Sequence, residues 1–314
     1  TINAVQQAYY ELVFARERVR VEEQALQLAN QLLAATRKQV EFGKLLPLDE
    51  QQAEAQVEGV RTELYSARQA FSDRQNALKN LIVDDFRRWA DTLIEPGEGL
   101  LALAGTFDRE ESWRTAMASR PDLAQLRTEI EKQGIITRLR FNQLFPSLDL
   151  VGAYGLQGAE TSFGGTASEI RDQSKPQYTF GVQLSIPLGG NIAARNSYRA
   201  SKAVKQQAEL YLRKAEQDIL VQVDDALRQA QSSHKRTESS RAARLYAEAA
   251  LNAEEKKLRE GLSTPFVVLG LQQKLTDART AEIRALADYN RAQAQLHLSE
   301  GSTLEKNHLD VGVK

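Results

Sequence analysis

The chain of 314 residues has no cysteine, so disulfides, thiolate metal ligands, cysteine nucleophiles and cysteine-borne lipid anchors are excluded within it. Its three histidines, His234, His297 and His308, are too few and too scattered for a histidine cluster. Neither charge dominates: 41 Lys and Arg face 42 Asp and Glu, whereas a nucleic-acid binder normally carries a basic excess or stripe. No run of 18 apolar residues occurs, which excludes a transmembrane helix. Proline (7), glycine (18) and aromatic residues (7%) are scarce. What remains is rich in Ala, Leu, Gln, Glu, Lys and Arg, the composition of long helices or coiled coil. Thr1 already stands in helical pattern, and the residues that follow it do not read as a signal peptide.

The scarce breakers are informative by position. Val5, Leu12, Val19, Leu26, Leu33 and Val40 recur every seventh residue, a sustained coiled-coil column. Three residues after each come Ala8, Ala15, Glu22, Ala29, Thr36 and Gly43, mostly small. The large and small columns predict close helix packing, the small one admitting the partner's side chains. Gly43 suits a helix C-terminus and Pro47 the first turn of the next helix, so an antiparallel helical hairpin is predicted. Val83 to Arg120 lose the regularity, with a turn cluster Glu95-Pro-Gly-Glu-Gly99 and a short helix from Arg109 to Ser119. Pro121 opens another helix that ends before Pro146. From Asn191 to Glu260 no proline or glycine occurs, which predicts a helix of roughly 105 Å. Glu260-Gly-Leu-Ser-Thr-Pro265 interrupts it, and a last helix runs to about Ser299.

The two interruptions correspond. Gly43 and Gly261 are separated by the same interval, 218 positions, as Pro47 and Pro265. That interval also relates Val5 to Val223, Leu33 to Leu251, Arg61 to Arg279, Ala67 to Ala285 and Leu78 to Leu296. A constant register over such a length points to an internal duplication. The second copy is preceded by segments that the first lacks, which predicts a longer mature protein with further residues upstream.

Between the copies the period changes from 3.6 to 2. Tyr178, Phe180, Val182, Leu184, Ile186 and Leu188 fall on one face, and Thr179, Gly181, Gln183 and Ser185 on the other. Leu148, Leu150, Gly152, Tyr154 and Leu156 likewise alternate with Asp149, Val151, Ala153, Gly155 and Gln157. Each strand is about ten residues, the length that crosses a hydrocarbon core when tilted. The segment Ala159 to Lys175 between them reads as a polar loop. Alternation alone is equally compatible with a hairpin that covers a soluble core. Here, however, everything else is rod-like helix and offers no apolar layer, while a lone two-stranded hairpin is barely stable in water. Closure into a barrel with other copies in lipid satisfies both its edges and its apolar face.

With these features in hand, the chain resembles the outer-membrane efflux family, the TolC-like channel-tunnels. The likeness is carried by the duplicated helical hairpin and by Arg120-Pro-Asp-Leu123, Phe145-Pro-Ser-Leu-Asp-Leu150, Phe180-Gly-Val-Gln-Leu-Ser-Ile-Pro-Leu188 and Glu260-Gly-Leu262. It implies a mainly α fold: long antiparallel coiled-coil-like helices forming an α-barrel subunit, with a transmembrane β-hairpin in an oligomeric β-barrel. The implied arrangement is 1–83 first periplasmic helical hairpin, 84–120 equatorial segment, 121–145 helix leading to the barrel, 146–188 outer-membrane hairpin, 189–300 second helical hairpin and 301–314 equatorial tail. It further implies a homotrimer in the bacterial outer membrane with a long periplasmic extension. The helical turns would dock a periplasmic adaptor, which couples the duct to an inner-membrane transporter.

By that resemblance the docking turns are Gly43, Lys44, Leu45 and Pro47, with Gly261, Leu262, Ser263 and Pro265. Leu148, Leu150, Tyr154, Tyr178, Phe180, Val182, Leu184 and Ile186 would face lipid, and Asp149, Thr179, Gln183 and Ser185 the lumen. One departure stands out: where relatives carry pore acids six and nine positions after the second turn glycine, this chain has Val267 and Gly270. Asp49 and Glu50 are pore-facing acids or, alternatively, ordinary helix N-terminal acids.

Catalysis finds no support in the residues. Gly152 to Gly165 lacks the ending of a phosphate loop. Asp84-Asp85 and Asp224-Asp225 are adjacent pairs that diverge on a helix. His234 and His297 read as solvated, and no nucleophile–base–orienter set emerges. The expectation is a passive export duct for small molecules or proteins, without cofactor or metal. The rival is a soluble coiled-coil scaffold or membrane-curving helical protein, which accounts for the heptads and not for the hairpin.

Overall fold

The computed structural model describes the whole chain except residues 98, 103–106, 157–160, 162, 172–175, 187–189 and 310–314. In chain order the elements are α1 (Ile2–Glu41), α2 (Pro47–Ile82), α3 (Phe86–Trp89), α4 (Arg109–Ser119), α5 (Pro121–Asn142), β1 (Ser147–Leu156), α6 (Phe163–Arg171), β2 (Pro176–Ser185), α7 (Ile192–Arg259), α8 (Pro265–Glu300) and α9 (Thr303–Lys306). They form two units, one comprising Thr1–Arg120 with Gln217–Lys314, the other Pro121–Glu216. Among the described residues no helix is long and apolar enough to cross a membrane.

In the first unit α1 packs against both α2 and α8. Of the two columns on α1, the small one is buried more continuously: Ala15, Glu22, Ala29 and Thr36 are all buried, whereas of the large column only Leu12 is. The small column thus faces the partners, as its short side chains allow, while most of the large column is only half-buried. A helix with partners on both flanks is pinched midway between them, and only short side chains suit that line. The last part of α7 packs on α8 through Leu251, Val268, Leu269 and Leu275, which gather Leu32 of α1. Further along, Ala226, Leu227 and Ala230 of α7 meet Ala292 and Leu296 of α8. Residues separated by the 218-position interval occupy equivalent depths: Val57 and Leu275 are both buried, as are Ala67 and Ala285, and Leu78 and Leu296. Surface ion pairs such as Arg68–Glu23 (2.9 Å) join the rods, and pairs this exposed each contribute little.

The described residues between 83 and 120 are tied down by polar contacts without a regular apolar stripe, which is why their path is illegible in periodicity. Buried Lys79 donates to the Ala90 carbonyl at 2.8 Å. Trp113 Nε1 donates to the Leu220 carbonyl at 3.2 Å, and Arg120 to that of Ser299 at 3.1 Å. α4 is capped by Asp108, whose carboxylate accepts from the Glu110 and Glu111 amides. Both histidines expected in solvent are instead engaged. The His234 ring lies 5.2 Å from Tyr289 and 6.4 Å from Phe107, and burial pushes the His297 imidazole pKa down. The helical pattern of α7 and α8 could not show that Phe107 and α4 stand beside those faces.

In the second unit α5 runs beside the start of α7. Thr137 Oγ1 donates to the Ser201 carbonyl at 3.4 Å, and the rings of Phe141 and Tyr198 stand 5.5 Å apart. β1 and β2 form a two-stranded antiparallel sheet. The segment between them, expected to be an irregular loop, contains the nine-residue α6. Phe163 to Arg171 holds no proline, and its stretch Ala167-Ser-Glu-Ile-Arg171 is compatible with a helical turn.

Gly301 ends α8 in the left-handed conformation, φ 74°, and a Cβ there would lie 3.1–3.2 Å from Arg120 Cγ and the Ser119 backbone. Gly43 has a similar φ, 67°, with open space around it. Left-handed strain costs about 1–2 kcal/mol for a residue bearing Cβ. Gly43→Ala is therefore expected to lower stability by about that amount, and Gly301→Ala by more. Thermal unfolding of the two variants side by side checks this ranking, and equal midpoints contradict it.

Candidate functional site

Two features stand out: the sheet face of the second unit and the pair of helical turns in the first. The strand register pairs Leu148 with Leu184, Leu150 with Val182, Gly152 with Phe180 and Tyr154 with Tyr178. Directly opposed residues share a face, so the apolar sets of the two strands merge into one surface. Phe180 lies over its partner, its ring atoms 3.8–3.9 Å from where a Cβ of Gly152 would stand. The Tyr154 and Tyr178 rings meet at a tilt of 44°, centroids 5.2 Å apart. The opposite face collects Asp149 with Gln183 and Ala153 with Thr179, and ends at the pair Ser147 and Ser185. Leu150 is 84% exposed and Phe180 82% exposed; nothing within the chain's described residues covers them. Ile186 follows the last residue of β2 and is exposed, while Leu188 and Gln157 lie outside the described residues.

The turns are built alike. In the first, the Gly43 amide donates to the Val40 carbonyl at 2.9 Å and the Lys44 amide to that of Gln39 at 2.8 Å. In the second, Gly261 donates to Leu258 at 3.1 Å and Leu262 to Lys257 at 2.8 Å. Each donor and acceptor is shifted by the 218-position interval, and each pair is a Schellman closure around a left-handed glycine. Pro47 and Pro265 then open α2 and α8 at N1. Both turns present apolar residues to solvent, Phe42, Leu46 and Leu48 in one and Leu262 and Phe266 in the other.

Their polar fastenings differ. In the first turn the Asp49 carboxylate accepts the Leu46 amide at 2.9 Å and Glu50 pairs with Arg37 at 2.7 Å. Asp49 thus acts as a helix N-terminal cap. In the second, the Ser263 hydroxyl donates to Glu254 at 2.6 Å and Lys257 pairs with the same carboxylate at 2.9 Å. Those hydrogen bonds, Ser263's first, hold the Glu254 pKa below the ordinary glutamate value. Sequence reasoning missed Glu254, because nothing in a nine-residue separation signals that contact.

No group of three or more His, Asp or Glu that could hold a metal exists among the described residues.

Residues 113–302 match the family model described as outer membrane efflux protein. The chain belongs to that family. Solved structures share its fold at low identity: a membrane protein from Pseudomonas aeruginosa is 22% identical with a TM-score of 0.78, covering 95% of this chain and 67% of that one. The outer membrane protein VceC from Vibrio cholerae is 20% identical with a TM-score of 0.78, covering 95% and 69%. The CmeC outer membrane channel of Campylobacter jejuni is 15% identical with a TM-score of 0.73, covering 99% and 67%. No curated protein matches the chain. The mainly α architecture and the place in the outer membrane with a long helical extension follow from this membership, and the scaffold alternative falls.

Ser263→Ala is expected to raise the Glu254 titration midpoint toward that of a free glutamate. A carbonyl-detected NMR titration reads it directly. In the native chain the charged form is favoured, so the fastening persists above that midpoint and loosens as the pH falls through it. An unmoved midpoint in the variant contradicts the contact.

Proposed function

We propose that this chain is a wall segment of a passive export duct of the outer membrane, serving a tripartite efflux or secretion system. The observation that carries the reading is the strand register, which gathers the large apolar side chains of the hairpin on one uncovered face. Such a face is stable where acyl chains replace water, and its two free edges require neighbours. Two strands cannot close a barrel, so copies of the chain assemble, as a homotrimer in this reading. Leu148, Leu150, Tyr154, Tyr178, Phe180, Val182, Leu184 and Ile186 face lipid, and Asp149, Thr179, Gln183 and Ser185 line the lumen.

The duct performs no chemistry: the pore's width and lining decide what passes, and an inner-membrane transporter supplies the energy. A periplasmic adaptor docks on the turns at Gly43, Lys44, Leu45 and Pro47 and at Gly261, Leu262, Ser263 and Pro265. The exposed apolar residues beside both glycines support that assignment, since they offer a partner ready burial at little desolvation cost. With Val267 and Gly270 on the first turns of α8, the narrow end of the pore carries no acid at those positions.

In the full-length protein Leu150→Arg is expected to cost about 2–4 kcal/mol of membrane stability, the penalty of a cation near the middle of the lipid face. Gln183→Arg, on the other face, is expected to leave insertion intact and to alter ion selectivity. Sedimentation with envelope membranes and planar-bilayer conductance distinguish the two, and equal insertion of both variants refutes the facing. Gly261→Val is expected to weaken capture of the cognate adaptor while the trimer persists; undiminished capture removes the turn assignment alone.

A further inference from the structure

The charges of the second unit are unevenly placed. From Lys132 to Leu148, where α5 leads into β1, and from Pro176 to Ala208, where β2 leads into α7, seven basic residues and no acidic one occur. They are Lys132, Arg138 and Arg140 on α5, with Arg195, Arg199, Lys202 and Lys205 on α7. The chain as a whole carries a net charge of −1, so this excess is local. The segment joining the strands at their other ends, residues 157–175, holds three acids against two bases. Positive charge thus gathers at the helix end of the sheet only, along about 15 Å of α5 and about 25 Å of α7.

Most of these bases are not satisfied within the chain. Lys132 pairs with Glu129 at 3.0 Å and Lys205 with Glu209 at 3.7 Å, each on its own helix. Arg138, Arg140, Arg195, Arg199 and Lys202 are exposed, and none of them meets a carboxylate among the described residues. Arg140 donates to the Gln143 side-chain carbonyl at 3.0 Å, and Lys202 lies over the Tyr198 ring, 5.8 Å from its centroid. Large apolar side chains stand exposed among them: Ile135, Leu139, Phe141 and Phe145. Phe141 meets Phe145 edge-on with centroids 5.3 Å apart, and Tyr198 at 5.5 Å. Arginines interleaved with exposed rings suit neither bulk water nor an acyl layer. They suit the boundary between the two, where rings rest at headgroup level and guanidinium groups extend into the polar layer.

We propose that Arg138, Arg140, Arg195 and Arg199 form a collar that binds the phosphodiester headgroups of anionic phospholipids in the membrane leaflet nearest the helices. The collar rests on the lipid-facing reading of the sheet and names the lipid at its helix side. Charge complementarity calls for an anion, and an arginine fork matches phosphate oxygens in pairs. Continuity with the sheet calls for a lipid. Arg140 stands two residues before the end of α5 and Arg195 three after the start of α7. All four arginines lie within about 10 Å of those helix ends along the axis, a depth that the headgroup layer and a long side chain together span. Lys132, Lys202 and Lys205 stand further along the helices and lie outside the collar.

The test places the full-length protein in phosphatidylcholine vesicles with a trace of spin-labelled phosphatidylglycerol or spin-labelled phosphatidylcholine. Electron paramagnetic resonance then reads the fraction of each lipid held at the protein surface, and flotation reads insertion. Native protein is expected to prefer phosphatidylglycerol by about fivefold or more, the factor that one arginine's attraction to anionic lipid supplies. The preference is expected to fall to near parity when Arg138→Gln, Arg140→Gln, Arg195→Gln and Arg199→Gln are combined. It is expected to persist when Arg74→Gln, Arg88→Gln, Arg114→Gln and Arg241→Gln of the first unit remove the same charge. In the native protein it is also expected to weaken as salt rises from about 0.1 to 1 M, where the Debye length shrinks from about 10 to 3 Å; that arm needs no variant to fold. Parity in native protein that floats with the vesicles overturns the collar and leaves the facing of the sheet standing, as does a preference unmoved by salt or by the four collar substitutions. Equal loss in the first-unit variant overturns it too. Native protein that floats with neither lipid overturns the lipid-facing reading, and the collar falls with it.

Discussion

A two-stranded sheet with one wholly apolar face cannot remain alone in water. Its ladder leaves two edges of unpaired backbone groups, and its greasy side has no covering layer among the described residues. The rest of the structure depends on that constraint. In the proposed reading, lipid and neighbouring copies remove both defects at once. The efflux-family membership of residues 113–302 and the shared fold of outer-membrane channels agree with this physical demand.

Much of the helical frame was legible because its signals are local. Gly43 and Gly261 each close a Schellman motif with hydrogen bonds at matching positions, and the prolines that follow sit at N1. Strand faces were legible too, since period-2 alternation and the observed register leave Leu150 opposite Val182 and Asp149 opposite Gln183. What could not be read was the partner of each face. Val19, Leu26 and Leu33, expected at the seam, are only half-buried. The continuously buried line is that of Ala15, Glu22 and Ala29, because α1 has neighbours on two sides. His234 and His297 looked solvated because the residues that cover them come from a stretch without apolar periodicity.

The two copies match in backbone and differ in side-chain contacts. The two turns share a backbone but not their fastenings, Asp49 capping its own helix and Glu254 reaching Ser263 across the turn. Similarly, Glu22 of the first copy corresponds to Ser240 in the second, 218 positions on. A buried acid present in only one copy is therefore not a requirement of the repeat.

The facing of the hairpin is most directly tested by spin labelling, which the absence of native cysteine makes clean. Single cysteines at positions 182 to 185 of the full-length protein in bilayers would carry the label, and collision with oxygen and with a water-soluble nickel chelate would be measured. The account predicts oxygen accessibility at Val182 and Leu184 and nickel accessibility at Gln183 and Ser185. Uniform nickel accessibility at all four, or the opposite alternation, would contradict it.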